Sequence, residues 1–116
     1  MIETNRGLLV LDGWAKMILS GEKTWEIRNR NTKLRGTIGI IVKGTGCIYG
    51  EVGLVDSFPL TEELFNNNVP KHRILVPDYS YLPDSYNTVW VLKNPVLYDK
   101  PVPYQHPRGA QVWVKL

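Results

Sequence analysis

Three ionisable side chains of complementary chemistry stand close together in this sequence: Lys23, Glu26 and Arg28. A lysine whose pKa is lowered by burial and by a nearby guanidinium can act as a general base. A guanidinium can clamp a phosphate or a carbonyl with two N–H groups. A carboxylate beside them can orient the base or accept a hydrogen bond from an exocyclic amine. In a hydrolytic reaction, the hydroxyl of Thr24 or a water would be the nucleophile.

The same three charges also have a plainer interpretation, in which they form ion pairs on an exposed strand. Exposed ion pairs contribute little to stability, and most charged side chains of globular proteins are solvated. The two interpretations differ in one testable respect. A functional site requires the three side chains to meet in a hollow, whereas a solvated strand spreads them over the outer surface.

A short helix is predicted just before these charges. Asp12 is suited to an N-cap, because its carboxylate can accept hydrogen bonds from free N–H groups of the first turn. Trp14, Met17 and Ile18 then recur at helical spacing and form one apolar stripe. Gly21 follows as the left-handed stop that commonly ends a helix. A helix of about two turns is not stable alone, so it must pack on the rest of the fold.

From Thr24 onward the apolar pattern changes to a period of two, which is typical of a strand. Trp25 and Ile27 are predicted on one face, and Thr24, Glu26 and Arg28 on the other. Lys23 lies at the turn before the strand and can reach the same side as the two other charges.

The remaining chain predicts a mixed α+β fold, a small β-barrel of five to six strands with two or more short helices. Gly50 and Gly53 lie inside a strand and predict bends there. A second helix is predicted to begin after Thr61 and to end within residues 66–68, and residues 95–109 are predicted as a proline-rich loop. The other predicted strands are Gly7–Leu11, Thr37–Val42, Ile48–Phe58, Thr88–Leu92 and Ala110–Leu116.

Length and composition set outer limits on the class of protein. The 116 residues predict a single domain, residues 1–116. The net charge of +3 and the pI of about 9.1 are compatible with a polyanionic partner, but are a weak signal alone. Cys47 is the one cysteine, which excludes an internal disulfide and fits a cytoplasmic setting.

Other classes of site and of location are not indicated. With one cysteine and two distant histidines we predict no metal site, and no cofactor is expected. No apolar run approaches the roughly 18 residues of a membrane span, and the N-terminus lacks the pattern of a signal peptide. We therefore predict a cytoplasmic protein without a membrane partner, and we favour a monomer.

Several aromatic and basic residues are further candidates for ligand binding. Trp14 opens the helix beside the predicted site and can stack on a base, whereas Trp25, Trp90 and Trp113 fit the apolar core. Tyr104 and His106 belong either to a solvated loop or to the cavity. The loop bases serve either solubility or phosphate contacts: Lys33, Arg35, Lys71 and Arg73.

The chain resembles the ASCH domain family, whose fold belongs with the PUA-like β-barrels. The family signature of glycine, lysine, glutamate and arginine stands here as Gly21, Lys23, Glu26 and Arg28. The preceding WAKMILSG resembles the usual helix, and the stretches RGTIGIIVKG and IYGEVGLVDSFPLT resemble the strands that follow. The closing segment from Asn87, with its proline pair and terminal tryptophan strand, extends the resemblance over roughly residues 7 to 116.

The resemblance implies a cavity between the signature strand and the helices, with RNA or modified nucleosides as partners. Some members of the family look like ribonucleases. Another branch hydrolyses N4-acetylcytidine with a lysine, a threonine three residues later and a distal glutamate. Here Glu26 stands where that threonine is expected, and Glu62 or Glu63 would be the distal acid. A catalytic set in this chain would be Lys23, Thr24 and Glu26.

Three functions therefore remain open. The favoured one is an RNA- or nucleotide-binding module, with Trp14, Arg28, Arg35, Tyr104 and His106 as ligand-binding residues. The second is a small hydrolase of acylated nucleosides or a ribonuclease. The third is a regulatory adaptor that binds a protein partner through the irregular segment at residues 69–86.

Overall fold

The computed structural model describes residues 2–116 and has the mixed α+β fold that the sequence predicts. Six strands form one sheet: β1 (Arg6–Val10), β2 (Trp25–Arg28), β3 (Gly36–Val42), β4 (Cys47–Pro59), β5 (Thr88–Pro103) and β6 (Trp113–Lys115). Three short helices lie between the strands: α1 (Asp12–Ser20), α2 (Glu62–Asn67) and α3 (Val69–His72).

The sheet has the strand order β2-β5-β4-β3-β1-β6 and curls into a half-barrel. β1 and β3 pair in parallel, and the other neighbours pair antiparallel. The curl brings the edge strand β2 back towards β1. There the Nη2 atom of Arg28 donates a hydrogen bond of 3.2 Å to the carbonyl of Leu9. A side chain, and not a strand ladder, therefore joins the two sides of the curl.

Helix α1 packs its apolar side on the sheet and ends where the sequence predicts. Gly21 has a φ of 88°, and its N–H donates to the carbonyl of Ile18. This left-handed conformation favours glycine. The predicted N-cap at Asp12 is wrong, because Leu11 occupies the cap position and Asp12 is already helical. The carboxylate of Asp12 instead forms an exposed ion pair with Lys16, with an N–O distance of 3.2 Å.

Strands β4 and β5 form the longest antiparallel pair of the sheet. Their register shifts at three places, between Ile48 and Gly50, between Glu51 and Gly53, and between Leu54 and Asp56. The bends predicted at the two glycines are therefore confirmed. Such irregularities increase the local twist and bend a strand, and they allow this sheet to curl.

The prediction of a loop over residues 95–109 is wrong for its first half, because β5 continues to Pro103. Strand β2 pairs only with residues Thr88–Val91 of β5. Within residues 2–116, the remainder of β5 pairs on one side, with β4. Prolines lack an N–H donor and are tolerated along such an edge. The last strand is also shorter than predicted and spans Trp113–Lys115.

Two of the tryptophans assigned to the core, Trp25 and Trp90, are buried as predicted. Trp113 is half-buried and stacks on Trp90, with ring centroids 5.5 Å apart. The main apolar cluster lies between α1 and the sheet. A second cluster lies between β2 and the segment that carries α2 and α3. The second cluster thus supports the apolar face of β2, and this packing holds the polar face of the strand in place.

The connection between β4 and β5 is more ordered than the sequence predicts. Helix α2 begins as expected, with the hydroxyl of Thr61 accepting a hydrogen bond of 3.1 Å from the N–H of Leu64. Helix α3 and a 3₁₀ turn at Tyr79–Tyr81 interrupt the segment predicted to be irregular. None of the helices within residues 2–116 is long and apolar enough to cross a membrane.

Candidate functional site

Strand β2 sorts its side chains to two faces, as its period of two predicts. Trp25 and Ile27 join the apolar cluster that includes Phe65. Glu26 and Arg28 extend from the other face and contact each other. Nη2 and Nε of Arg28 donate to Oε2 of Glu26 at 2.7 and 3.1 Å. The carboxylate and the guanidinium are therefore held in one fixed arrangement.

Lys23 joins this pair from the turn between α1 and β2. After the glycine stop the chain folds back, and the N–H of Lys23 donates to the carbonyl of Met17 at 3.0 Å. The side chain is only 1% exposed. Its ammonium donates to the carbonyl of His72 and lies 3.8 Å from Oε1 of Glu26 and 4.4 Å from the ring centroid of Trp14. The three charges thus meet, with the carboxylate between the two cations.

The environment of Lys23 changes its acid–base behaviour. Burial disfavours the ammonium and is the main reason that the pKa of Lys23 falls from 10.5 to about 8. The guanidinium of Arg28 lowers this pKa further, whereas the carboxylate of Glu26 opposes the shift. An appreciable fraction of Lys23 is therefore neutral near pH 8, which a general base requires.

These side chains line a cavity of about 370 Å³, which we call the first cavity. Its size lies within the range of about 300–1,000 Å³ that is typical of small-molecule sites. Trp14, Lys23, Glu26 and Arg28 supply its polar and aromatic part, and Lys43 lies at its border with solvent. The remaining wall is mostly apolar: Leu9, Val10, Leu11, Ile27, Ile74, Leu82 and Val112. The interpretation of an exposed, solvated strand is therefore wrong for these charges.

The site residues predicted from the sequence do not include His72, which lies in the segment 69–86 and is fully buried beside the site. Its Nδ1 accepts a hydrogen bond from the N–H of Ile74, so Nε2 carries the proton and donates to the carbonyl of Phe65 at 2.8 Å. The ring stacks on Phe65 with centroids 4.2 Å apart. Burial lowers the pKa of His72, and the nearby Lys23 adds to this shift. A neutral His72 thus fixes the carbonyl that accepts from Lys23.

The segment at residues 69–86, which the adaptor hypothesis treats as a protein-binding loop, forms part of the site. Its first residues lie along β2, where the carbonyl of Lys71 accepts from the N–H of Thr24 at 3.0 Å. Its later residues Ile74, Leu82 and Tyr86 line the first cavity. The proline at position 70, near the start of α3, is a helix signal that the sequence does contain. Nothing in the local pattern indicates the burial of His72.

The other predicted site residues lie at different places. Thr24 precedes β2 and lines a separate hollow of about 210 Å³, which it shares with Lys23. Arg35 donates to Ser57 at 2.9 Å and holds its own loop against β4. Tyr104 and His106 line two neighbouring cavities and not the first one. The roles assigned to these four residues stay predictions.

The residues that would complete a hydrolase or a metal centre can also be located. Glu62 and Glu63 are exposed at the start of α2, and neither lines the first cavity. Glu26 is therefore the carboxylate that accompanies Lys23 there. Throughout the described chain, residues 2–116, no group of three or more histidine, cysteine, aspartate or glutamate side chains is arranged to hold a metal ion.

A curled six-stranded sheet with three short helices has the PUA-like fold, and its Lys–Glu–Arg cluster lies at the junction of α1 and β2. The family model of the ASCH domain matches residues 8–102, and this chain belongs to the ASCH domain family.

Solved structures of ASCH from Zymomonas mobilis share the fold. The unmodified protein aligns with a TM-score of 0.71 and 17% identity, covering 96% of this chain and 86% of that one. A mutant of it with one tyrosine replaced by phenylalanine gives 0.73 and 18%, with 96% and 88% covered. A mutant with one serine replaced by alanine gives 0.72 and 17%, with 100% and 91% covered. No curated protein gives a significant match to this sequence.

Proposed function

We propose that this protein binds RNA or a nucleotide-like ligand, with a base held in the first cavity. The observation that carries the proposal is the meeting of Lys23, Glu26 and Arg28 at an otherwise largely apolar hollow of about 370 Å³. Burial on this scale is unfavourable for three ionic groups. Such a cost is typical of functional sites, where perturbed charges serve a ligand.

The chemistry of the cavity suits the edge of a nucleobase. Lys23 and Arg28 supply hydrogen-bond donors, and Glu26 supplies an acceptor between them. A base presents the complementary pattern, with carbonyl oxygens and ring nitrogens beside exocyclic amines. Trp14 and Tyr86 add aromatic rings to the wall, on which a flat heterocycle can stack. The favourable electrostatic field of a protein with a net charge of +3 would assist the approach of an anionic strand.

Binding should be measured by fluorescence anisotropy with a labelled single-stranded RNA and with tRNA across a salt series. We expect log K to fall linearly with log salt, because bound phosphates release counterions. Arg28→Lys should weaken binding about tenfold, since a lysine keeps the charge but loses the planar fork, and one charged hydrogen bond contributes roughly 1.5 kcal/mol. A thermal unfolding curve of each variant checks that the fold is intact.

The matched control is Arg30→Lys. Arg30 is exposed two residues further on and does not line the first cavity, so this variant should bind as the unmodified protein does. The proposal is contradicted by a lack of RNA binding at low salt, by binding without salt dependence, or by equal losses in the two variants.

A hydrolase is the second candidate, and the lowered pKa of Lys23 favours it. Neutral Lys23 would take a proton from a water, which attacks the acyl carbon of a bound N-acylated base. The C–N bond then breaks, and protonated Lys23 returns the proton to the leaving nitrogen, which releases the carboxylic acid and the free base. Glu26 would orient the lysine. Thr24 has less support as the nucleophile, because it lines a different hollow from Glu26.

The rate of hydrolysis of N4-acetylcytidine and of RNA tests this second candidate. A general base must be deprotonated, so the rate should rise with pH and level off above about 8, the pKa of Lys23. Lys23→Met should lower the rate by about a hundredfold or more, whereas Lys16→Met, at an exposed lysine of α1, should retain it. Full activity of Lys23→Met, or no turnover by the unmodified protein, excludes this candidate.

A further inference from the structure

The first cavity adjoins a second, and the second adjoins a third, through shared lining residues. A second cavity of about 850 Å³ shares four lining residues with it: Leu9, Lys43, Gln111 and Val112. A third cavity of about 660 Å³ shares Tyr104 and His106 with the second. The three cavities therefore adjoin in a row, which we call the track.

The track is strongly cationic. Lys23, Arg28 and Lys43 line its first cavity, and Arg108 and Lys115 line its third. Among the described residues, 2–116, Glu26 is the one aspartate or glutamate that lines the track, and its carboxylate already forms an ion pair with Arg28. The whole chain, by contrast, has 14 basic and 11 acidic residues. This excess of positive charge along the track is what the backbone of a nucleic acid requires.

The wall between the second and third cavities is fixed by hydrogen bonds. The N–H of Tyr104 donates to the carbonyl of Gly46 at 3.1 Å, and its hydroxyl bonds to Nδ1 of His106 at 2.8 Å. Nε2 of His106 in turn bonds to the carbonyl of Ala110 at 3.2 Å. The Tyr104 and His106 rings are thus held in position before a ligand arrives, and a preorganised wall loses less entropy on binding.

We propose that the ligand is a single strand of RNA several nucleotides long, and not a free nucleoside. One base enters the first cavity, the backbone passes Lys43, the next base stacks against Tyr104, and the following phosphate contacts Arg108. The proposal rests on the RNA binding proposed above and adds its length, its path and its second base site.

The length of the strand is the first variable to test. Isothermal titration at low salt with nucleoside monophosphates, and with single-stranded RNAs of two, four and eight nucleotides, should show affinity rising with length. Each further base that stacks on an aromatic side chain strengthens the binding of the strand. We therefore expect at least a fivefold gain in affinity between the monophosphate and the tetranucleotide.

Arg108→Gln tests the path of the strand. Arg108 is exposed and forms no ion pair with any residue in the range 2–116, so its replacement should leave the fold intact. We expect a lower ratio of octanucleotide to monophosphate affinity and a salt slope reduced by about one phosphate contact. Lys100→Gln, an equal change of charge at an exposed residue outside the track, should alter neither quantity.

The outcomes separate this inference from the function on which it rests. If monophosphates bind but affinity does not rise with length, the protein binds nucleotides and the extended track is wrong. If length matters but Arg108→Gln and Lys100→Gln behave alike, the strand takes another path and the inference is also wrong. If neither monophosphates nor oligonucleotides bind, both proposals fail together.

Discussion

Glu26→Gln is expected to lower the free energy of unfolding by about 3 kcal/mol at pH 7. The side chain of Glu26 is 8% exposed and its carboxylate lies between Lys23 and Arg28, so its loss leaves two cations together without a counter-charge. Removing one partner of a buried ion pair costs about 3–5 kcal/mol. Urea unfolding followed by tryptophan fluorescence measures the effect, since two of the four tryptophans lie near the cluster.

The pH dependence of this loss identifies its cause. Glu26 raises the pKa of Lys23, so the variant has a Lys23 pKa below about 8. Where a folded-state pKa is depressed below the unfolded value, stability rises with pH because the unfolded chain binds more protons. This rise begins at lower pH in the variant. The difference in the free energy of unfolding between the two proteins should therefore narrow as the pH approaches about 8. The portion of this difference that comes from the lost ion pair with Arg28 should remain.

Two further variants complete the test of the cluster. Glu63→Gln, at an exposed position of α2, should change the free energy of unfolding by less than about 0.5 kcal/mol. The double variant Lys23→Met/Glu26→Gln removes the uncompensated lysine charge and should recover part of the loss, so the two changes will not be additive. A Glu26→Gln protein as stable as the unmodified one would show that the buried cluster does not form.

Gly50→Ala is expected to destabilise the fold by about 3 kcal/mol. A Cβ at this position would overlap the carbonyl oxygen of Val96 and lie 2.7 Å from a methyl carbon of Leu19. The oxygen belongs to the backbone of β5 and cannot rotate away, so β4 and β5 would have to separate. Overpacking of this kind costs about 1–3 kcal/mol and sometimes more. Thermal unfolding should show a midpoint lower by roughly 10 °C.

Gly13→Ala is the matched control for this prediction. Gly13 lies in the first turn of α1, and no atom would come within 4 Å of an added Cβ. Alanine is a better helix former than glycine by about 1 kcal/mol, so this variant should unfold at a slightly higher temperature. If Gly50→Ala unfolds at the midpoint of the unmodified protein, the close approach of β4, β5 and α1 is wrong.

The helix and the strand that carry the site could be predicted from the sequence. The helical stripe before Gly21 and the alternation from Trp25 to Arg28 depend on neighbours in the chain, and both predicted which side chains share a face. Contacts between segments that are distant in the sequence could not be predicted. The carbonyl that holds Lys23 belongs to His72, 49 residues away, and every residue carries a carbonyl. No residue type therefore signals this partner.

The errors in the fold have a similar origin. The prolines between Pro95 and Pro103 argue against a strand only if that strand must form backbone hydrogen bonds with neighbours on both sides. The strand order shows that β5 has one neighbour there, and this order depends on the whole sheet. The N-cap was misplaced because Asp12 is equally suited to the first turn, where it pairs with Lys16. Local chemistry allows both positions, and packing of the helix decides between them.

The hydrogen bond from Arg28 to the carbonyl of Leu9 affects the size of the ligand that the first cavity can accept. Continuous backbone hydrogen bonding between β2 and β1 would make the opening of the first cavity rigid, because widening it would break several hydrogen bonds at once. Here the guanidinium of Arg28 spans the gap, so widening it breaks one side-chain hydrogen bond and no strand pairing. Under the proposed function, the tolerance of the first cavity for chemically modified bases would be governed by this one hydrogen bond.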